Sequence, residues 1–195
     1  MLHRRARDFS ENRARLRALD STDPLTGLVL PPVLQLRLRD ALRRGDRLGH
    51  RCALLLVDLG NHGAIAASEG RQAADRALVV TASRLTRLVR DVDTVCRIRD
   101  TRFAVLVEGP FDEGERQRLA QHIVARGLEP VRTLPPDMAP RLRVVTVGVP
   151  DGALERGDEG MVNEQVLLER LDAALDARLN DTRRSIHHLQ PRDNA

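Results

Sequence analysis

Two places in this sequence bring together residue types that could do chemistry. The first is Asp58, which closes the apolar run Cys52–Leu59, CALLLVDL. An acid at the end of a buried strand is held by a fixed backbone, which is how carboxylate metal sites are built. An aspartate capping the next turn is the simpler alternative. The second is the polar turn Arg99–Thr101 inside RDVDTVCRIRDTRFAVLV, residues 90–107. It carries Arg99, Asp100 and Thr101, with Arg102 directly after. A charged hairpin tip on a rigid pair of strands is a common seat for a binding or catalytic group.

Other reactive residues offer less. Cys52 and Cys96 both fall in strand-like runs and lack metal-site spacing, so they read as buried reduced thiols. His187 and His188 lie in a polar C-terminal segment, where a ligand role is not expected.

These groups need elements to hold them. The run at Cys52–Leu59 reads as a strand buried on both faces. Thr94–Ile98 and Arg102–Val107 alternate Val, Ile and Phe and read as a hairpin. Leu142–Val149 is a fourth, Val-rich strand. Between the strands the pattern turns helical. Pro31 and Pro32 open a helix carrying Leu34, Leu38, Ala41 and Leu42, with Gly45 expected to end it. Asn61–Ser68 reads as a short helix, and Ala74–Arg90 as a longer one with Ala74, Leu78, Ala82, Leu85 and Val89 inward. Asp112 and Glu115 make a capping-box pattern for a helix closed by Gly127. Val162–Leu179 is the last amphipathic helix. Strands and helices interleave around a hairpin, which points to an α+β fold with a mostly antiparallel sheet and flanking helices.

The ends differ from this body. Arg4–Asp20 is polar and helical in pattern, with Leu2, Phe9 and Leu16 seven residues apart and Arg13 breaking the seam. The expected organisation is a helical linker over residues 1–20, a domain over 21–183, and a loose polar tail over 184–195.

Composition excludes several classes. The chain has 195 residues, 42% of them hydrophobic, enough for one aliphatic core with three Phe and no Trp or Tyr. Its net charge is +4 and, as the sequence contains no Lys, all the basic side chains are Arg. Interleaved acids and the lack of aromatic stacking platforms argue against a nucleic-acid partner. No stretch reaches the ~20 apolar residues of a membrane span, and the first seven residues are too charged for a signal peptide. The expected location is the cytoplasm, as a free domain or the cytosolic part of a membrane-anchored receptor.

Four motifs in order resemble the GGDEF domains, the bacterial diguanylate cyclases. They are DPLTGL at Asp23–Leu28, VDLGNHGAIAASEGRQAADRAL at Val57–Leu78, TVGVPDG at Thr146–Gly152, and LDAALDARL at Leu171–Leu179. The resemblance runs to about Arg183. It implies a five-stranded, mostly antiparallel central sheet like those of nucleotide cyclases and polymerase palms. It also implies chemistry in which two domains, each holding one GTP, form cyclic di-GMP, with carboxylate-bound metal ions neutralising charge.

The chain departs from the family at the signature. Aligning RIRDTRF with R-x-GGDEF places Arg99 and Asp100 on the two glycines, Thr101 on the metal-binding acid and Arg102 on the next acid. Side chains then fill space through which phosphates approach the backbone. A cation and an arginine ~4 Å apart repel by about 4 kcal/mol at an effective dielectric near 20. Asp58 matches the remaining metal aspartate, and Leu59 the residue whose carbonyl assists it. Asp75 matches a guanine-reading acid, while Ala66 replaces its Asn partner and His62-Gly63 a Phe-Lys pair. Leu179 replaces a phosphate-binding Lys, and Arg183 matches the arginine one turn on. Arg90 and Asp93 stand where the family carries RxxD, its product-binding site. An Arg fork suits guanine or phosphate, and Asp accepts guanine N–H groups. The string itself is weak, because it recurs at Arg5/Asp8, Arg17/Asp20, Arg37/Asp40, Arg43/Asp46, Arg97/Asp100 and Arg178/Asp181.

The resemblance and its departures imply a domain that is not an enzyme. It would have no resident metal, magnesium entering only with residual GTP binding at Asp58. The expectation is a cyclic di-GMP receptor or adaptor acting through a protein partner or homodimer. The alternatives are a nucleotide-independent interaction module and a residual cyclase or GTP sensor.

Overall fold

The computed structural model describes residues 21–48, 52–109, 112–149, 164–178 and 185–189. The expected linker over 1–20, Leu179 and Arg183 lie outside the described residues.

Strand β1 (Cys52–Leu59) is the centre of the molecule, and all eight of its residues are buried. It is followed by helices α2 (His62–Glu69) and α3 (Arg71–Leu88), and preceded by α1 (Pro31–Leu48). The hairpin is β2 (Thr94–Arg99) and β3 (Arg102–Val107). Helix α4 (Glu113–Gly127), strand β4 (Leu142–Val149), helix α5 (Glu164–Arg178) and strand β5 (Ile186–His188) complete the order. The sheet runs β2-β3-β1-β4-β5, antiparallel except for the β4–β5 pair. This is the five-stranded, mostly antiparallel α+β fold expected from the sequence.

Strand alternation splits the core in two. Leu55, Val57 and Leu59 face a cluster with Ile65, Leu78, Ala120 and Ile123 from α2, α3 and α4. Leu54 and Leu56 face Leu34 and Leu38 of α1 and Leu167, Leu171 and Leu175 of α5. Each buried leucine contributes roughly 1.5–3 kcal/mol, so a strand apolar on both faces draws helices to both.

Three sequence expectations are corrected. Gly45 does not end α1, which continues to Leu48. A glycine inside a helix costs only about 1 kcal/mol and is no stop signal without a left-handed backbone. The segment after residue 183 is not wholly a loose tail: Ile186–His188 forms β5. The Val144 amide donates to the Ser185 carbonyl and the Leu189 amide to the Thr146 carbonyl, which satisfies an edge of β4 that would otherwise lack partners. Ile186 also packs on the core. Gly70, at φ 83°, separates α2 from α3, and α3 therefore starts at Arg71 rather than Ala74. The capping box is present, with the Glu115 amide donating to Asp112 at 2.6 Å and the Asp112 amide to Glu115 at 2.8 Å.

Candidate functional site

The sheet register builds the first site. Asp58 pairs in register with Arg102 on β3 and with Arg143 on β4, so two arginines flank it on one face. The Arg143 Nη2 donates to Asp58 Oδ2 at 3.1 Å, and the Thr101 hydroxyl donates to Asp58 Oδ1 at 2.8 Å. Arg102 Nε lies 3.9 Å from the same Oδ1. The Asp58 side chain is only 7% exposed. The hairpin tip is tied here by its backbone as well, since the Leu59 amide donates to the Thr101 carbonyl at 3.0 Å.

Arg102 reaches further. Its two terminal nitrogens donate to Asp172 and Asp176, which lie four residues apart on α5. Arg99 also pairs with Asp172 and stands 3.9 Å from Asp176. The hydrogen bond from Arg102 holds the Asp176 carboxyl below its usual range. For Arg102, burial alone would lower the pKa, but its bonds to Asp176 and Asp172 outweigh that and raise it.

A divalent cation fits this donor set poorly. Both oxygens of Asp58 are engaged, and two guanidinium groups stand within 4 Å of them. Arg143 also lies against Gly60, where a Cβ would meet its Nη2 at 2.6 Å. Among the described residues no group of three or more His, Cys, Asp or Glu is arranged to hold a metal.

The remaining expected residues are scattered around this cluster. Leu59 is buried at the end of β1. Asp75 is half-buried in α3. His62, Gly63 and Ala66 are all on α2. Asp100 is exposed, and its carbonyl accepts from Arg97 Nη2 at 2.9 Å.

The Asp23 motif supports the hairpin from below. Asp23 accepts from the Thr26 amide at 2.8 Å and the Thr26 hydroxyl at 2.7 Å, and from Arg97 Nη1 at 2.9 Å. Gly27, at φ 72°, lets the loop return. Burial would push the Asp23 carboxyl up, but the bonds from Thr26 and Arg97 hold it below 3.8.

The second site is the turn after α3. Asp93 is 8% exposed. Its Oδ2 accepts from the Arg90 amide at 2.9 Å and its Oδ1 from the Glu108 amide at 3.0 Å. The Arg90 side chain is 54% exposed. It makes two bonds of 3.4 Å to Asp93 and one of 2.6 Å to the Glu108 carbonyl. Both residues line a cavity of about 340 Å³, with Glu115, Arg118, Leu119 and His122 of α4 among the other walls.

Sequence reasoning missed Arg143, Asp172, Asp176, Arg118 and His122. The first three left signals: Arg143 alternates onto one face of a Val-rich strand, and Asp172 and Asp176 keep i, i+4 spacing. Strand register, which the sequence does not state, was needed to bring them to Asp58.

Comparison with known proteins agrees with this architecture. Residues 20–152 match the family "Diguanylate cyclase, GGDEF domain", and the chain belongs to that family. It is 33% identical over 98 residues to diguanylate cyclase DgcP of Pseudomonas aeruginosa, covering 50% of this chain and 15% of that protein. The chain spans a quarter or less of the length of the curated relatives it matches. Among solved structures, the GGDEF domain of TpbB (YfiN) from Pseudomonas aeruginosa superposes with a TM-score of 0.76 at 25% identity, covering 88% of this chain and 96% of that one. The GGDEF domain of DgcB from Caulobacter crescentus, in complex with c-di-GMP, shares the fold with a TM-score of 0.68 at 17% identity, covering 86% and 95%.

Proposed function

We propose that this domain acts in cyclic di-GMP signalling as a receptor or adaptor that does not make the dinucleotide. One observation carries the reading: the Asp58 carboxylate has its counter-charges supplied from within, by Arg143 and Arg102, and its Oδ1 taken by Thr101. A magnesium ion would have to displace guanidinium groups that the sheet register holds in place. No catalytic step is therefore assigned to this carboxylate.

The receptor half rests on Arg90. Its exposed guanidinium borders a cavity that Arg118 and His122 also line. An arginine fork suits the O6 and N7 edge of guanine, and a second arginine suits a phosphate. Asp93 positions Arg90 through the turn. Each of its oxygens accepts one backbone amide and one Arg90 N–H, so a guanine N–H reaches Asp93 only if the Arg90 side chain swings away. The c-di-GMP complex of the DgcB domain belongs to that protein, and supports the reading by fold alone.

A second reading is favoured by the same turn. Arg90 already bonds Asp93 and the Glu108 carbonyl, which is what a purely structural pair in a nucleotide-independent interaction module would do. Exposed pairs of this kind contribute ~0–1 kcal/mol, so a dinucleotide could displace them.

The catalytic half is tested by incubating purified protein with GTP and Mg²⁺ and following the product by chromatography. No cyclic di-GMP above a blank is expected. A steady rate of formation overturns it.

A further inference from the structure

An arginine-framed apolar groove lies between α3 and the loop that follows α4. It is lined by Val79, Val80 and Val131, with Arg76, Arg84 and Arg132 around them, and encloses about 430 Å³. Val79 is 39% exposed, one of few large apolar side chains left open to water.

The wall of the groove is fixed. Arg84 donates to the carbonyls of Gly127, Glu129 and Pro130 at 3.2, 2.9 and 3.0 Å. One guanidinium thus satisfies carbonyls at and beyond the C-terminus of α4 and sets the loop against α3. The rim is different. Arg76 and Arg132 are exposed and, among the described residues, have neither a hydrogen bond nor an ion pair. No acid among the described residues lines the groove. Glu129, the nearest in the loop, is held by Arg126 at 2.7 Å. Arg87 continues the positive stripe two turns beyond Val80 on α3.

We propose that this groove docks an acidic segment of a protein partner, one whose aliphatic side chains fill the valine floor while its carboxylates meet Arg76 and Arg132. Charge complementarity selects the sign of the partner: two uncompensated arginines beside an acid-free pocket reject basic segments and attract acidic ones. Shape selects its form. The apolar surface is a concavity that receives side chains, whereas a membrane-binding face must project them. The inference does not depend on cyclic di-GMP binding or on the state of Asp58.

The test uses the full chain and fluorescent synthetic peptides read by anisotropy. One probe carries paired leucines among glutamates, a second replaces the glutamates by lysines, and a third replaces the leucines by serines. The first is expected to bind, weakening with salt, and the other two to bind at least about tenfold more weakly. The double variant R76E/R132E loses the first probe by a similar factor, and V79D, read separately, does the same. Both alter exposed positions, and unchanged melting temperatures confirm that the fold is intact. Equal binding of the lysine or serine probe, or retention of the first probe by R76E/R132E, overturns the proposal. Capture by phosphatidylserine vesicles with no peptide binding assigns the groove to lipid and overturns it equally.

Discussion

The hydroxyl of Thr101 donates to Asp58 at 2.8 Å, across the gap between the hairpin tip and the central strand. The hairpin tip thus meets the acid of the central strand with a neutral donor. With Arg102 and Arg143 in register on either side, the cluster is a closed set of charges.

Arg102 is expected to be the residue that this cluster can least lose. Arg102→Ala leaves Asp58, Asp172 and Asp176 facing one another without their shared cation. Arg102 is buried, but Asp176 is half-exposed, and Asp172 and Asp58 keep Arg99 and Arg143. The cost is therefore expected at roughly 1–3 kcal/mol, below that of a fully buried pair, read as a fall in the urea midpoint. Arg99→Ala removes a half-exposed guanidinium from the same acids and is expected to cost under ~1 kcal/mol. Equal effects for the two variants would contradict the geometry.

Asp93 and Arg90 are expected to separate by stability. Asp93→Ala removes a buried acceptor for two backbone amides, a loss of roughly 1–3 kcal/mol. Arg90→Ala should cost less than ~1 kcal/mol. Chemical denaturation of both variants checks the order, and a neutral Asp93→Ala would mean that the turn does not depend on its carboxylate.

The Asp23–Arg97 tie has a defined pH signature. The folded Asp23 carboxyl lies below 3.8, so the folded chain binds fewer protons than the unfolded one near that pH. Its stabilisation is complete above 3.8 and is lost as the pH falls through the lower, folded value. The stability difference between the protein and Asp23→Asn is therefore expected to be present at pH 7 and to shrink in acid below pH ~4. A difference that grows in acid would reverse the assignment.

How far the sequence spoke depended on whether a feature was local. The Asp112–Glu115 capping box, the eight-residue buried strand and the hairpin all carry their cause within a few residues, and each appears where expected. The partners of Asp58 do not. Arg143 lies 85 residues away, and only β1–β4 register sets it opposite Asp58. Strand β5 escaped notice because three residues, two of them histidine, make no apolar pattern; what holds them is the unpaired edge of β4. Helix α1 ran past Gly45 because a glycine ends a helix only when the chain turns there.

The two cysteines are expected to be silent in the native state. Burial pushes the thiols of both Cys52 and Cys96 up to about 12, and the thiolate is the reactive form. Ellman's reagent at pH 8 should label neither until denaturant is added. Rapid labelling of native protein would place a thiol at the surface.

The central claim, that the domain keeps the dinucleotide's site while its cyclase carboxylate is internally neutralised, meets its most direct test in isothermal titration with cyclic di-GMP, run on the protein and on Arg90→Ala. Micromolar or tighter binding that disappears in Arg90→Ala is the predicted result. Absence of heat at high ligand, or binding that Arg90→Ala leaves unchanged, contradicts it.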